Sequence, residues 1–396
     1  MKRVLILGAS RYYLRAIQTA KRLGYRTLVV DRDPTLPGFQ AADTGQGIDI
    51  TNSGAVLDYA RTQKIDGIVP INDYGVPTAA YVAEALKLPG LTRRQSRILT
   101  NKALLRDHWQ KNGQPNPDYR IVGTFDACKA ACDAIGYPLI LKPAVSMGGS
   151  RGVVVVDSPD QLSESYRFAT SFYNDKTILV EALLQGVEHS AEVLVYNGHG
   201  HVLAISDKIK TPLPYRADKN VLYPTRFTGL QRRRLENVII ASVESLEIKN
   251  GCAHVECCTL PSGDIRLFEM GGRPGGGGTP DPIVPFLTGV NEFEQYLKIC
   301  VGDEPDQLHP FYEKGCNYHF LTPRPGKVKQ MSGLDAVRQW DGVLDADLFV
   351  KPGDTIRPVK TGADRAGFII TGAKTRDEAL ALGEKAEQSL VFEYEA

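Results

Sequence analysis

The chain has little that would mark a protein for secretion, for a membrane or for nucleic acid. Its seven cysteines are odd in number and include no Cys-x-x-Cys pair, which argues against a disulfide framework and against a zinc site. They read as reduced core residues, with Cys128 and Cys132 on one face of a helix and Cys257 and Cys258 pointing to opposite faces of a strand. No apolar run approaches the roughly 18 to 20 residues that cross a bilayer. The start, MKRVLILGAS, carries no apolar core of signal-peptide length, so a cytoplasmic protein with no membrane contact is expected. The 47 basic and 46 acidic residues nearly cancel, which removes the bulk field that nucleic-acid binding would draw on. Two phosphate-binding signatures are also missing. GASRYYLR has one glycine where a dinucleotide fingerprint needs three, so Gly8 and Asp31 are weak grounds for NAD. The glycine loop after Lys142 does not end in Gly-Lys-Ser/Thr and runs on into VVVV, a strand rather than a helix, which excludes a P-loop.

What is present is length and alternation. At 396 residues the chain has room for two or three domains. Strand signals at Val4 to Leu7, Thr27 to Val30 and Gly67 to Ile71 alternate with helices near Arg11 to Leu23 and Ser53 to Gln63, the pattern of a parallel sheet wrapped by helices. A helical connection follows from about Leu91 to Lys111. Strands are then expected at Tyr137 to Pro143, Gly152 to Val156, Thr177 to Glu181 and Ser190 to Tyr196, with helices near Pro159 to Phe172, Gln231 to Leu246 and Glu292 to Cys300. After about Pro310 the pattern suggests a small sheet with one helix, which begins at Thr375 with Glu378 completing a capping box.

The chemistry is concentrated in the hairpin CAHVECCTL-PSGD-IRLFEMGGR. A turn over Pro261 to Asp264 would set Leu260 opposite Ile265 and Glu256 opposite Glu269. His254, Glu256, Glu269, Gly271 and Arg273 would then share one face. Two facing carboxylates repel unless a proton or cation lies between them. A hard divalent cation held also by nucleotide phosphates would satisfy them, although a solvent-facing pair is the plainer alternative.

Upstream, LILKPAVSMGGSRGVVVV places Lys142 at a strand end before a glycine-rich hairpin. Gly148, Gly149 and Gly152 would let backbone N–H groups approach an anion, and Ser146, Ser150 and Arg151 add donors. In TILVEALLQGVEHSAEVLV, a strand ends at Glu181, and Glu188, Ser190 and Glu192 share a face of the next, where a carboxylate would accept two ribose hydroxyls. Taken singly, each of these segments is also compatible with a plain turn or a half-buried strand pair.

In order, Lys102, Lys142, the glycine flap, Glu181, Glu188, Glu256, Glu269 and Arg273 resemble the ATP-grasp superfamily, from about residue 2 to the C-terminus. The chain is most similar to carboxylate–amine ligases of the L-amino acid ligase type. The resemblance implies an α/β and α+β protein with three parts: an N-terminal parallel α/β domain over residues 1–95, an ATP-grasp region over 96–305 with a smaller lid at 120–185, and a C-terminal α+β ligase-type domain over 306–396. It also implies ATP and Mg2+, with Mn2+ as a substitute. Lys102 and Lys142 would hold the nucleotide phosphates, and the flap from Ser146 to Gly152 would cover them. Glu181, Ala182 and Leu183 would form the adenine hinge, and Glu188 would take the ribose. Glu256 and Glu269 would ligate the metal, and Arg273 would stabilise an acyl phosphate. Lys142 and Glu269 would act with Arg273 in catalysis. The common motif Glu-x-Asn-x-Arg is here Glu269-Met270-Gly271-Gly272-Arg273, so an asparagine metal ligand is missing and one or two metal ions are both open. Lys208 and Lys210 are equally placed to reach a phosphate.

The expected reaction joins a carboxylate to an amine, amino acids by expectation, through an acyl phosphate with release of ADP. The glycine stretch RPGGGGTPD would line the substrate pocket at Gly276 and Gly277, and His254 would orient a substrate or take a proton from the amine. A homodimer is a family-level expectation. A biotin-carboxylase-like or purine-biosynthesis-like enzyme would share the nucleotide site with a different acceptor. A non-catalytic ATP-binding regulator would lack the paired glutamates.

Overall fold

The computed structural model describes residues 1–145 and 148–395. The N-terminal region is a four-stranded parallel sheet in the order β3-β2-β1-β4. Its strands are β1 (Arg3–Leu7), β2 (Arg26–Asp31), β3 (Thr44–Gly47) and β4 (Gly67–Pro70). The helices are α1 (Leu14–Arg22), α2 (Pro37–Ala41), α3 (Ser53–Gln63) and α4 (Val76–Leu86). Because side chains alternate along each strand, Leu5, Leu7, Leu28 and Val30 pack on α3 and α4. Val4, Ile6 and Val29 join a larger core that reaches Phe293, Tyr223 and Tyr318. Asp31 accepts a hydrogen bond from Ala9 N at 3.1 Å, so this carboxylate is used in shaping its own loop.

Two helices, α5 (Arg93–Leu99) and α6 (Lys102–Lys111), lead out of this region. Thr92 and Gln95 cap the first reciprocally, and Asn101 caps the second. The next unit is a four-stranded antiparallel sheet in the order β5-β8-β6-β7. It comprises β5 (Tyr119–Val122), α7 (Phe125–Ile135), β6 (Leu139–Pro143), β7 (Val154–Val156), α8 (Leu162–Thr170) and β8 (Ile178–Ala182). It has its own core, in which Cys128 and Cys132 lie side by side.

The third unit is built on a nine-stranded sheet. Its first six strands are β9 (Val187–Tyr196), β10 (His199–Ile205), β11 (Asp207–Lys210), β12 (Asp218–Tyr223), β13 (Gly251–Thr259) and β14 (Ile265–Gly271). Helix α9 (Gly229–Glu244) lies between β12 and β13, and α10 (Val284–Thr288) and α11 (Glu292–Cys300) follow β14. The C-terminal segment adds β15 (Gly315–Leu321), β16 (Gly326–Ser332), α12 (Leu334–Val337), β17 (Val343–Leu348), β18 (Thr355–Ile356), β19 (Gly367–Ala373), α13 (Arg376–Gln388) and β20 (Val391–Tyr394).

The small, self-contained C-terminal sheet expected from the sequence is not what forms. β15 pairs antiparallel with β12, so β15, β19 and β17 continue the central sheet. Only β18, β16 and β20 make a small sheet of their own, and α12 is a second helix. The capping box at Thr375 and Glu378 is present. All seven cysteines are buried and unbonded. Among the described residues no helix is long and apolar enough to cross a membrane.

Candidate active site

A cavity of about 390 Å3 opens where the three units meet. Its floor includes the hairpin β13–β14, and here a compensation appears. Thr259, not Leu260, pairs with Ile265, one residue away from the expected register. An irregularity between Cys257 and Glu256, opposite Phe268, absorbs the offset and restores Glu256 opposite Glu269. The bulge also leaves the Phe268 side chain on the cavity, where its ring lies 5.1 Å from Lys142 Nζ.

Neither carboxylate is left exposed to the other alone. Lys208 Nζ stands 2.5 Å from Glu256 Oε1, and Lys102 Nζ donates to Glu269 Oε1 at 3.0 Å. Burial pushes the Glu256 carboxyl up, but Lys208 and His254 outweigh it and hold the group well below the usual range. Among the described residues no cluster of three or more His, Cys, Asp or Glu side chains is arranged to enclose a metal ion. Two adjacent carboxylates, each able to exchange its ammonium partner for a cation, nevertheless suit a hard ion completed by phosphate and water.

The sequence-selected residues gather here with two exceptions, Gly152 and Ser146, the latter lying outside the described residues. Lys102, Lys142, Gly148, Gly149, Ser150, Glu181, Ala182, Leu183, Glu188, His254, Arg273, Gly276 and Gly277 all border the cavity with the two glutamates. Gly152 does not; it packs on Pro143 with φ +75°, a conformation that glycine supplies at little cost. Both Lys208 and Lys210 border it as well, from the same face of β11.

Several of these side chains are already engaged. Arg106 Nε donates to Glu181 Oε1 at 2.5 Å and Lys142 Nζ lies 2.6 Å from Oε2. Burial raises the Glu181 carboxyl, and Arg106 and Lys142 more than reverse it. Beside it, Ala182 N donates to Asp118 O and Leu183 N to Pro138 O, at 2.9 and 3.4 Å. Glu188 binds Arg216 and lies 3.1 Å from Lys210. His254 Nδ1 is 2.6 Å from Glu192 Oε1 and its Nε2 3.4 Å from Glu256 Oε1. Burial disfavours the imidazolium, but Glu192 and then Glu256 raise its pKa to about 9. Glu192 also accepts from Gly275 N at 2.8 Å. Behind it lies Glu292, whose carboxyl burial and Glu192 push well above the usual range. No donor among the described residues reaches its oxygens, which fits a protonated carboxyl facing Glu192.

The glycine flap is fastened at several points. Gly362 N donates to Gly149 O at 2.8 Å, Ser150 Oγ to Arg216 O at 3.1 Å, and Arg151 Nη1 to Tyr74 Oη at 2.9 Å. The four glycines after Pro274 differ in the room they leave. A Cβ at Gly276 would meet open space, whereas at Gly277, with φ +64°, it would run into the Tyr318 hydroxyl.

Sequence reasoning missed Asp73, Arg106, Arg216, Asp218 and Arg365, and the aromatic side chains Tyr12, Tyr318, Phe320 and Phe349 that complete the cavity wall. Arg106 lies one helical turn beyond Lys102, and Arg216 and Asp218 lie in the hairpin that follows Lys210, so helix and hairpin spacing could have found them; the others are carried in by elements distant in sequence.

The chain matches three family models in order: the ATP-grasp N-terminal domain over residues 17–90, the ATP-grasp domain over 135–281, and the L-amino acid ligase C-terminal domain 2 over 319–395. An uncharacterized protein, y4rH, of Sinorhizobium fredii is 25% identical over 94% of this chain and 79% of its own length. The L-arginine-specific L-amino acid ligase of Bacillus subtilis is 21% identical over 76% of this chain and 73% of its own. The crystal structure of L-amino acid ligase from Bacillus licheniformis superposes with a TM-score of 0.86 at 24% identity, covering 100% of this chain and 99% of that one. The three family models, in the order in which they match, give the chain an ATP-grasp N-terminal domain, an ATP-grasp domain and an L-amino acid ligase C-terminal domain, the make-up of ATP-grasp ligases that form C–N bonds.

Proposed function

We propose that the protein joins a substrate carboxylate to an amine, both borne by amino acids, at the expense of ATP, through an acyl phosphate and with release of ADP. The observation that carries this reading is the facing pair Glu256 and Glu269 in a cavity that also collects Lys102, Lys142, Lys208, Lys210, Arg216, Arg273 and Arg365. That is more positive charge than the bordering carboxylates balance, and it suits a polyphosphate.

In this reading ATP lies between the lid and the central sheet, with Lys102 and Lys142 on its phosphates and the flap above them. The hinge contribution of Glu181 falls to the backbone beyond it, since its carboxylate holds Arg106 and Lys142. Glu256 and Glu269 would hold Mg2+, or Mn2+ in its place, which supplies charge neutralisation at the phosphates. Both glutamates would exchange their lysine partners, and the Lys208 and Lys102 ammonium groups would then turn to phosphate oxygens. Arg273 faces the developing charge as phosphate is transferred to the carboxylate. The fastened flap keeps water from the acyl phosphate, and the amine attacks its carbonyl carbon, forming the amide and expelling phosphate. No side-chain nucleophile is needed. The domain division at residues 95 and 305 belongs to the same reading.

The test is ADP and AMP release from Mg-ATP with amino acids offered singly and in pairs, with products weighed by mass spectrometry. ADP together with an amide product is expected. AMP would overturn the acyl-phosphate route, and ADP formed without any amide would point to a different acceptor.

A further inference from the structure

Among the described residues seven lysine and arginine side chains border the cavity, and six of them stand on a carboxylate. Lys102, Lys142, Lys208, Lys210 and Arg273 each have a carboxylate oxygen at 3.0 Å or less. Arg216 is bonded to Glu188. Arg365 is the exception. Its nearest carboxylate oxygen is Asp218 Oδ2 at 3.8 Å, and Asp218 is already shared with Lys208 and Lys210. The one hydrogen bond it makes among the described residues runs from Nη2 to the Asp218 carbonyl at 2.9 Å. Its Nε is buried and has no partner there.

The guanidinium is nonetheless firmly placed. It lies 3.6 Å from the centre of the Phe320 ring, and its side chain is 13% exposed. It follows the short turn Gly362–Asp364, which Thr361 and Asp364 cap reciprocally. The same turn binds the flap through Gly362 N. A buried guanidinium N–H without an acceptor is destabilising. Nη1 makes no hydrogen bond among the described residues either, and unlike Nε it is not sealed from solvent, so a pre-placed arginine held on an aromatic face beside a cavity is arranged for a planar anion supplied from outside.

We propose that Arg365 anchors the carboxylate of the amine-bearing substrate, so that the acceptor is an amino acid and not ammonia or a simple amine. This deepens the ligase reading and rests on it. Chemistry selects the partner. In a pair of amino acids the donor's carboxylate is consumed in the amide, and the two amino groups are cations or nucleophiles. The acceptor's carboxylate is the one anion that persists from binding to product, so it is the group an arginine holds throughout. Phosphate is the competing anion, and the test separates the two.

The experiment compares an acceptor amino acid with its amide, which has the same amine and side chain but no carboxylate. It uses the wild-type protein and the variants Arg365→Gln and Arg365→Lys, with acceptor and ATP varied separately. The wild-type is expected to prefer the acid on the order of 100-fold in kcat/KM, as a site does when its buried donors are left unpaired by an analogue. Arg365→Gln should erase that preference through the acceptor KM, and Arg365→Lys should restore part of it. A wild-type indifferent to the carboxylate overturns the inference. So does an Arg365→Gln variant that slows acid and amide alike, or one that raises the KM for ATP with the preference intact. Trapping by hydroxylamine in the wild-type, without acceptor, reads the acyl phosphate separately. If no hydroxamate forms with any donor, the ligase reading falls and takes this inference with it. If hydroxamate forms but the acid is not preferred, the inference alone fails.

Discussion

Arg273 donates from Nε and Nη2 to the two oxygens of Asp73, both at 3.0 Å, across 200 residues of chain. Burial works against the Arg273 charge, and Asp73 more than restores it; the Asp73 carboxyl in turn is held below its usual range despite burial. The fork is rigid and two-pronged, a geometry that lysine cannot copy. The loop after β4 thus aims the arginine nearest the paired glutamates in sequence.

Asp73→Ala should therefore lower kcat/KM by about 10- to 100-fold although Asp73 has no assigned contact with substrate. Combined with Arg273→Lys, the two losses should fall well short of adding, as for residues that act as one unit. Steady-state kinetics on the four proteins of the cycle checks this, and simple additivity would separate the two residues.

Glu269→Ala should cut ATP turnover on the order of 100-fold or more while changing thermal stability little. Its side chain is 34% exposed, and its loss leaves Lys102 facing the cavity and not a sealed core. Turnover assays with circular dichroism melts provide the check, and normal turnover would remove Glu269 from the metal site.

Gly276 and Gly277 should part company. Gly276→Leu enters open space and is expected to change which substrates are accepted, with the KM for ATP nearly constant. Gly277→Leu combines a left-handed backbone with a collision at Tyr318, so it should lower stability by about 1–3 kcal/mol. Substrate panels and urea melts on both variants discriminate these effects.

His254 carries a pH signature. Its folded pKa of about 9 stands above the unfolded value of about 6.5. Its stabilising contribution is thus fully present below pH 6.5 and is lost as pH rises through 9. In the nucleotide-free protein, the stability advantage of the wild-type over His254→Asn should shrink by up to about 3 kcal/mol between pH 6 and pH 9.5. Urea denaturation at a series of pH values measures it; a constant difference would mean that Glu192 does not hold an imidazolium.

Much of the site was legible because it is local. The alternation around Glu256 and Glu269 identified both the strands and their shared face, and the hairpin tolerated a one-residue error at the turn because the bulge at Phe268 took it up. The helices Ser53–Gln63 and Glu292–Cys300 were readable from periodicity and caps. What stayed hidden depends on distant pairing. Nothing near residue 315 tells that β15 will lie beside β12, some 95 residues earlier, and so nothing brought Arg365 or Phe320 to the nucleotide side of the chain. Glu181 shows the other limit. Its position at a strand end was evident, but Arg106, which takes its carboxylate, comes from a helix that precedes it by a whole subdomain.

The joint between β12 and β15 bears on how this enzyme class can be recombined. Asn220 donates to Asn317 Oδ1 at 3.1 Å and lies 2.8 Å from His319 Nδ1, and His319 Nε2 meets Glu387 on α13 at 2.7 Å. Asn220, Asn317 and His319 are buried inside the sheet where the central strands meet the last ninety residues, and Asn317 Nδ2 has no partner among the described residues. Exchanging the C-terminal part with that of a relative is therefore not the attachment of a detachable module. A hybrid that changes Asn317 or His319 without Asn220 would leave the buried Asn220 amide without its partners, so the strands on either side of this joint are constrained to diverge together.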